Sequence, residues 1–211
     1  MAADSTPPAR RGGAAGAVAV LLLVLAAVSL ITAVVLPVNQ LTQPGGAVSV
    51  GLTPASLDDV LRELDGLPAG VALSVDAEGT RARLDVAELD GPLRVLTELP
   101  ASLRGLCTAA GALLLWQLLT SIRGGRPFDR RNPRRLVLLA AAVLVGGVGG
   151  QLLEAVSRLA VLDAVGSRPG GLFDLGAGVD LTAAVLGVLL LALAEAFRSG
   201  VMLAEDVQGL V

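Results

Sequence analysis

Glu154 and Arg158 stand four residues apart, the spacing that puts an acid and a base on one helix face. Both fall in a stretch otherwise rich in Leu, Val, Ala and Gly. An ionisable group in such surroundings is a candidate for proton or cation handling. The plainer reading is a pair that closes one end of a helical bundle. Gln151, one turn before Glu154, belongs to the same polar group. Glu195, with Arg198 three residues on, reads as a similar pair at the other end of its own apolar run. Gln117, deep in a third run, suits a hydrogen bond to a neighbouring helix. Cys107 is the lone cysteine and reads as a small apolar side chain; only a polar cavity beside it gives it a nucleophile's interest. The chain has no His, which removes His-based acid–base catalysis and His-containing zinc sites. No Asp-x-Asp-x-Asp-Gly loop supports calcium. The expectation is therefore a non-enzymatic protein with no catalytic residue, no metal and no cofactor.

The elements that must position these residues are set by composition. Of 211 residues, 54% are hydrophobic, 17% charged and 2% aromatic, and the mean hydropathy is +0.74. A soluble domain carries about 25% charged residues. Four runs approach the roughly 20 apolar residues that a spanning helix needs. The first, Ala14 to Leu36, has no charge, and its Val, Leu and Ile residues sum to about −5 kcal/mol on the insertion scale. It is longer than a signal-peptide core and lacks a clean cleavage site, so it reads as an uncleaved anchor. The others run from Leu103 to Ile122, from Leu136 to about Leu153, and from Leu181 to about Phe197. Arg104, at the end of the second, is placed to snorkel to headgroups. In the third, Gly146 and Gly150 form a small-xxx-small pair and Gly147 widens the same groove, for contact within the bundle or, alternatively, a homodimer.

The predicted fold is an all-α membrane protein, a four-transmembrane-helix bundle with a small α+β extracytoplasmic insertion between helices 1 and 2. Its segments are a tail (1–13), helix 1 (14–37), an outer loop domain (38–100), helix 2 (101–122), a basic link (123–135), helix 3 (136–158), an outer loop (159–179), helix 4 (180–198) and a tail (199–211). Orientation follows from arginine. Arg10, Arg11, Arg123, Arg126, Arg130, Arg131, Arg134, Arg135 and Arg198 share one side with both termini, and the positive-inside rule puts that side in the cytoplasm. In the outer loop, 47–52 alternates as a strand. Ser56 caps a short helix over Leu57–Leu64. Residues 71–75 and 81–86 flank a Gly-containing turn as a hairpin. Pro92 to Leu103 forms a helix entering the membrane, bent near Pro100. With no aromatic residue, this loop reads as a hydrophilic cap.

The link 123–135 has a legible construction. Gly124 and Gly125 end helix 2, while Asn132 as N-cap and Pro133 at the first position start helix 3. Its arginines suit anionic lipid headgroups at about 1 kcal/mol each. Positive-inside topology alone accounts for the cluster, and with a net charge of −3 no direct nucleic-acid binding is expected.

Gly125-x-Pro127-Phe128-Asp129-x-x-Asn132 in the link, and Phe197-x-x-Gly200-x-x-Leu203-x-x-Asp206 after helix 4, together resemble motifs of the bacterial membrane family of domain of unknown function two-nine-seven-five. Leu99-Pro100 followed by Leu103-Arg104 also fits. The family's usual D-x-E-L-T-V tail is replaced here by Asp206-Val207-Gln208-Gly209-Leu210-Val211. The resemblance implies a four-span protein of the bacterial inner membrane with no established activity, often encoded beside a small helix-turn-helix regulator. It further implies that the nine motif positions form a cytoplasmic surface for such a regulator or another membrane protein, or that they pack on one another to fix helix ends. A transporter accessory subunit or small-solute channel using Gln117, Gln151 and Glu154 is the alternative function.

Overall fold

A charge-free run of Leu, Val and Ala has one low-cost conformation in lipid, because a helix satisfies every backbone N–H and C=O internally. The computed structural model describes residues 13–42, 48–52, 71–75, 82–86, 90–126, 129–164 and 180–208. The first run forms α1 (Gly13–Thr42). Three short strands follow, β1 (Val48–Leu52), β2 (Val71–Val75) and β3 (Ala82–Val86), in the antiparallel order β1-β3-β2. Val50 and Leu73 both pair with Leu84, so the two outer strands share one register against β3. The helix expected after Ser56, the turn between β2 and β3, and the link 165–179 lie outside the described residues.

Three more helices complete the architecture: α2 (Gly91–Arg123), α3 (Arg131–Ala164) and α4 (Thr182–Gln208). All four are long and apolar enough to cross a membrane. They exceed the expected spans, and α2 runs unbroken through Pro100. Within α3, Val145–Gly149 forms a π turn, where the ladder widens to i→i+5 across three glycines and two valines.

The packing inverts that of a soluble domain. On α1 the inward stripe is Ala19, Ala26, Ser29 and Ala33, while Val20 and Leu21 are 61% and 65% exposed. Small residues let backbones approach, and large apolar ones are left for lipid, which solvates them as well as a core would. Ala33 meets Gly105 of α2 so closely that a Cβ on Gly105 would lie 2.6 Å from the Ala33 Cβ. The helices pack in chain order, α1 on α2, α2 on α3 and α3 on α4, rather than closing α4 onto α1. α2 and α4 consequently stand apart, with α3 as a floor between them.

Candidate functional site

At the link end, α2 stops because Gly125 adopts φ +73°, a left-handed conformation that costs glycine nothing. The Gly125 N–H then donates to the Ile122 carbonyl and the Arg126 N–H to the Ser121 carbonyl, both at 3.1 Å, which closes a Schellman turn. Asp129 starts α3: its carboxylate accepts the Arg131 N–H at 2.9 Å and its carbonyl accepts the Asn132 N–H at 2.9 Å. Asn132 is thus not the N-cap expected from sequence, since Asp129 already occupies that role. Asn132 lies inside the first turn and is fully buried. Its Nδ2 donates to Ser121 Oγ (3.2 Å) and to the Arg126 carbonyl (3.3 Å), and its Oδ1 accepts Arg135 Nη1 at 3.0 Å. Arg135 Nη1 also reaches the Gln117 carbonyl at 3.3 Å. A polar knot thereby ties the end of α2 to the start of α3. The interhelical contact at Gln117 runs through its backbone, not its side-chain amide as expected.

At the opposite end, the Glu154 carboxylate holds two guanidiniums, Arg158 on its own helix and Arg104 on α2. The expected i,i+4 pair is present, and Arg104, expected only to reach for headgroups, joins it. Its stem lies across Gly150, where an added Cβ would meet Arg104 Nε at 2.9 Å, and that bare backbone is what lets it reach Glu154. Gln151 clamps α4 reciprocally: Nε2 donates to the Asp180 carbonyl (2.9 Å), and the Asp180 N–H donates to Oε1 (3.0 Å). The Asp180 carboxylate caps α4 by accepting the Thr182 N–H at 2.9 Å. Hydrogen bonds from the Thr182 side chain and backbone hold that carboxyl below its ordinary value.

Pro100 has no N–H to give to the Leu96 carbonyl four residues back. The hydroxyl of Ser157, buried on α3, sits 2.8 Å from that carbonyl and 2.8 Å from the Leu153 carbonyl of its own helix. Its single proton is shared between the two and partly replaces the missing donor.

The glycines of α3 serve two partners. A Cβ on Gly146 would meet Cys107 Cβ of α2 at 2.7 Å, and one on Gly147 would meet Ala183 Cβ of α4 at 2.2 Å. Gly147 therefore does not widen the groove used by Gly146 and Gly150; successive helical residues point about 100° apart. Cys107 borders the cleft between α2 and α4, with its side chain turned onto Gly146.

Arg130, Pro133 and Arg134 of α3's start, with Leu191, Glu195, Arg198 and Val201 of α4, line a second groove of about 670 Å³ at the link end. It lies between the two motif stretches. Gly125 is exposed, Asp129, Phe197 and Gly200 are half-buried, and Leu203 is 66% exposed. Pro127, Phe128 and the side chain of Asp206 lie outside the described residues. Glu195 and Arg198 pair loosely at 3.8 Å on the surface. Sequence reasoning missed Ser157 and Asp180, and it named Arg104 without its partner Glu154. Ser157 and Asp180 had local signals, Pro100 four residues after Leu96 and Asp180-x-Thr182 ahead of an apolar run, whereas the partnership of Arg104 with Glu154 had none.

Four apolar helices that bury small residues, expose large ones and gather polar groups at their two ends define a multi-pass membrane protein. The chain belongs to the family described as Protein of unknown function (DUF2975), which matches residues 92–209, from the first turn of α2 to the end of α4. No curated protein and no solved structure matches it.

Proposed function

We propose that this is a non-enzymatic protein of the bacterial inner membrane, with both termini in the cytoplasm and its link end presented to a cytoplasmic regulatory protein. The segment between α1 and α2 then forms a small α+β cap on the outside. The observation that carries the reading is the link-end groove. Arg130, Arg134 and the loosely paired Arg198 and Glu195 rim an apolar floor of Val137, Leu191, Ala194 and Val201, on a helix junction locked by the Asn132 knot. A basic rim over an apolar floor complements an acidic amphipathic helix. A small helix-turn-helix regulator, as the family motifs suggest, is the partner expected to supply it. Asn132 and Asp129 are committed to holding the junction, so Arg130 and Arg134 carry the recognition.

A solute channel is less well supported. The polar side chains of the α2–α4 cleft gather at one end, and its deep walls are Ala112, Leu115, Leu139 and Val143. Glu154 is already held by two guanidiniums.

Purification of the tagged full-length chain from its native host tests the proposal. A helix-turn-helix protein retained by the wild type and lost with Arg130→Glu/Arg134→Glu, at an unchanged thermal transition, supports it. Retention that survives the charge reversal, or a wild type that retains no such protein, refutes it.

A further inference from the structure

The cleft that α2 and α4 leave over α3 has a volume of about 650 Å³ and changes character along its length. Its deep part is lined by Ala112, Leu115, Leu139, Ala142, Val143 and Leu186, and its mouth by Arg104, Gln151, Glu154 and Arg158. The volume lies within the 300–1,000 Å³ usual for ligand sites. Depth identifies the occupant. Along α2 from Arg123 to Arg104, and along α3 from Arg135 to Glu154, the helix rise spans about 30 Å at 1.5 Å per residue. That is the thickness of the hydrocarbon core. With the link arginines at one headgroup layer, the Arg104–Glu154–Arg158 cluster lies at the other, and the apolar slot beneath it lies at acyl-chain depth.

The mouth is built to accept further oxygen atoms. A guanidinium carries five N–H donors. Glu154 engages one nitrogen of each arginine, Nη2 of Arg104 and Nη2 of Arg158. The carboxylate holds the two guanidiniums side by side and leaves the triad one positive charge in excess. Asp180 also lines this mouth as an ionised carboxylate, held by the Thr182 N–H. The excess charge therefore belongs to the triad and not to the mouth as a whole, and the two guanidiniums are what recognise a phosphate. Two adjacent guanidiniums match the several acceptor oxygens of a phosphate, which arginine binds in a bidentate fashion.

We infer that the α2–α4 cleft is a binding site for one anionic phospholipid of the leaflet opposite the link, with its phosphate on Arg104 and Arg158 and an acyl chain in the apolar slot. This site is independent of the link-end groove, so its failure leaves the partner reading untouched.

Native mass spectrometry of the full chain released from mild detergent tests it, with phosphatidylglycerol, phosphatidylcholine and inorganic phosphate as separate probes. The expected result is a 1:1 phosphatidylglycerol adduct held at least fivefold more tightly than phosphatidylcholine. Arg104→Gln reduces that preference about fivefold, the value of one arginine at a headgroup. Ala142→Phe fills the slot while leaving the arginines in place, and it reduces retention of both lipids. Lipid held at the link arginines is insensitive to both changes, which separates the two locations. Thermal transitions of both variants establish that they are folded, and either one alone suffices for the comparison. Equal affinity for the two lipids, retention unaffected by Ala142→Phe, or displacement of the lipid by equimolar inorganic phosphate would each overturn the inference.

Discussion

Ser157→Ala isolates the repair of the Pro100 defect. The hydroxyl lies 2.8 Å from the Leu96 carbonyl, and Ser157 is only 4% exposed. Removing it takes away the proton shared with the Leu153 carbonyl and leaves the Leu96 carbonyl with no donor from its own helix, a loss of about 1–3 kcal/mol. For a chain of this size that lowers the thermal transition by about 2–4 °C per kcal/mol. Cys107 makes the measurement direct: it is the one thiol in the chain, packed against Gly146, so a thiol-reactive dye reports when α2 and α3 separate in detergent. The decisive form is a double-mutant cycle. Pro100→Ala restores an N–H four residues after Leu96, so the carbonyl gains a donor within its own helix. Ser157→Ala should then cost at least about 1 kcal/mol less in the Pro100→Ala background than in the wild type, a coupling well above the roughly 0.5 kcal/mol scatter of independent sites. Additive effects would refute the argument that the serine stands in for the missing proline N–H.

Asn132→Ala removes the hub of the link knot and leaves the Arg135 guanidinium with only the Gln117 carbonyl of its two acceptors there, with an expected loss of about 3 kcal/mol in the same dye assay. Gly147→Leu, whose Cβ would lie 2.2 Å from Ala183 Cβ, should separate α3 from α4 and lower the transition sharply. Gly149→Ala, with its nearest neighbour at 3.8 Å, should be tolerated. Gly125→Ala meets nothing within 4 Å, so its cost is the left-handed backbone alone, about 1–2 kcal/mol. For Asp180, the folded pKa is depressed below 3.8, so the ionised carboxyl's contribution is complete above the unfolded value and lost as pH falls through the folded one. The stability gap between wild type and Asp180→Ala should therefore stay constant from pH 7 to pH 5 and narrow only below about pH 4.

What was legible in the sequence divides by range. The α2 terminus at Arg123, one residue past the expected Ile122, followed from two glycines and a change from leucine to arginine. Strand β2 has the expected bounds because alternation between turn residues is a local signal. The i,i+4 pair of Glu154 and Arg158 is likewise written in one helix. Arg104 is fifty residues from Glu154, and only the side-by-side packing of α2 and α3 makes them partners. Asn132 misled for a related reason: Asn-Pro is a common helix start, but an amide that finds Ser121 Oγ and the Arg126 carbonyl across the junction is worth more inside than at the cap, and Asp129 was available to take its place.

The same division explains why the helices were easier to read than their arrangement. Lipid offers no hydrophobic reward for burying Leu or Val, so the apolar pattern that marks a core face in a soluble helix carries little directional information here. Direction is carried instead by small residues and by the few polar ones. Ala19, Ala26 and Ala33 repeat every seven residues and mark the face of α1 that meets α2, with the leucines between them turned outward. Gly146 and Gly150 mark the face of α3 toward α2, and Gly147 the face toward α4. Because α3 spends its small residues on two neighbours at different angles, α2 and α4 are held on separate sides of it. The cleft between them is a consequence of where the glycines fall, and substitution of those glycines should alter its width before it alters the secondary structure of any helix.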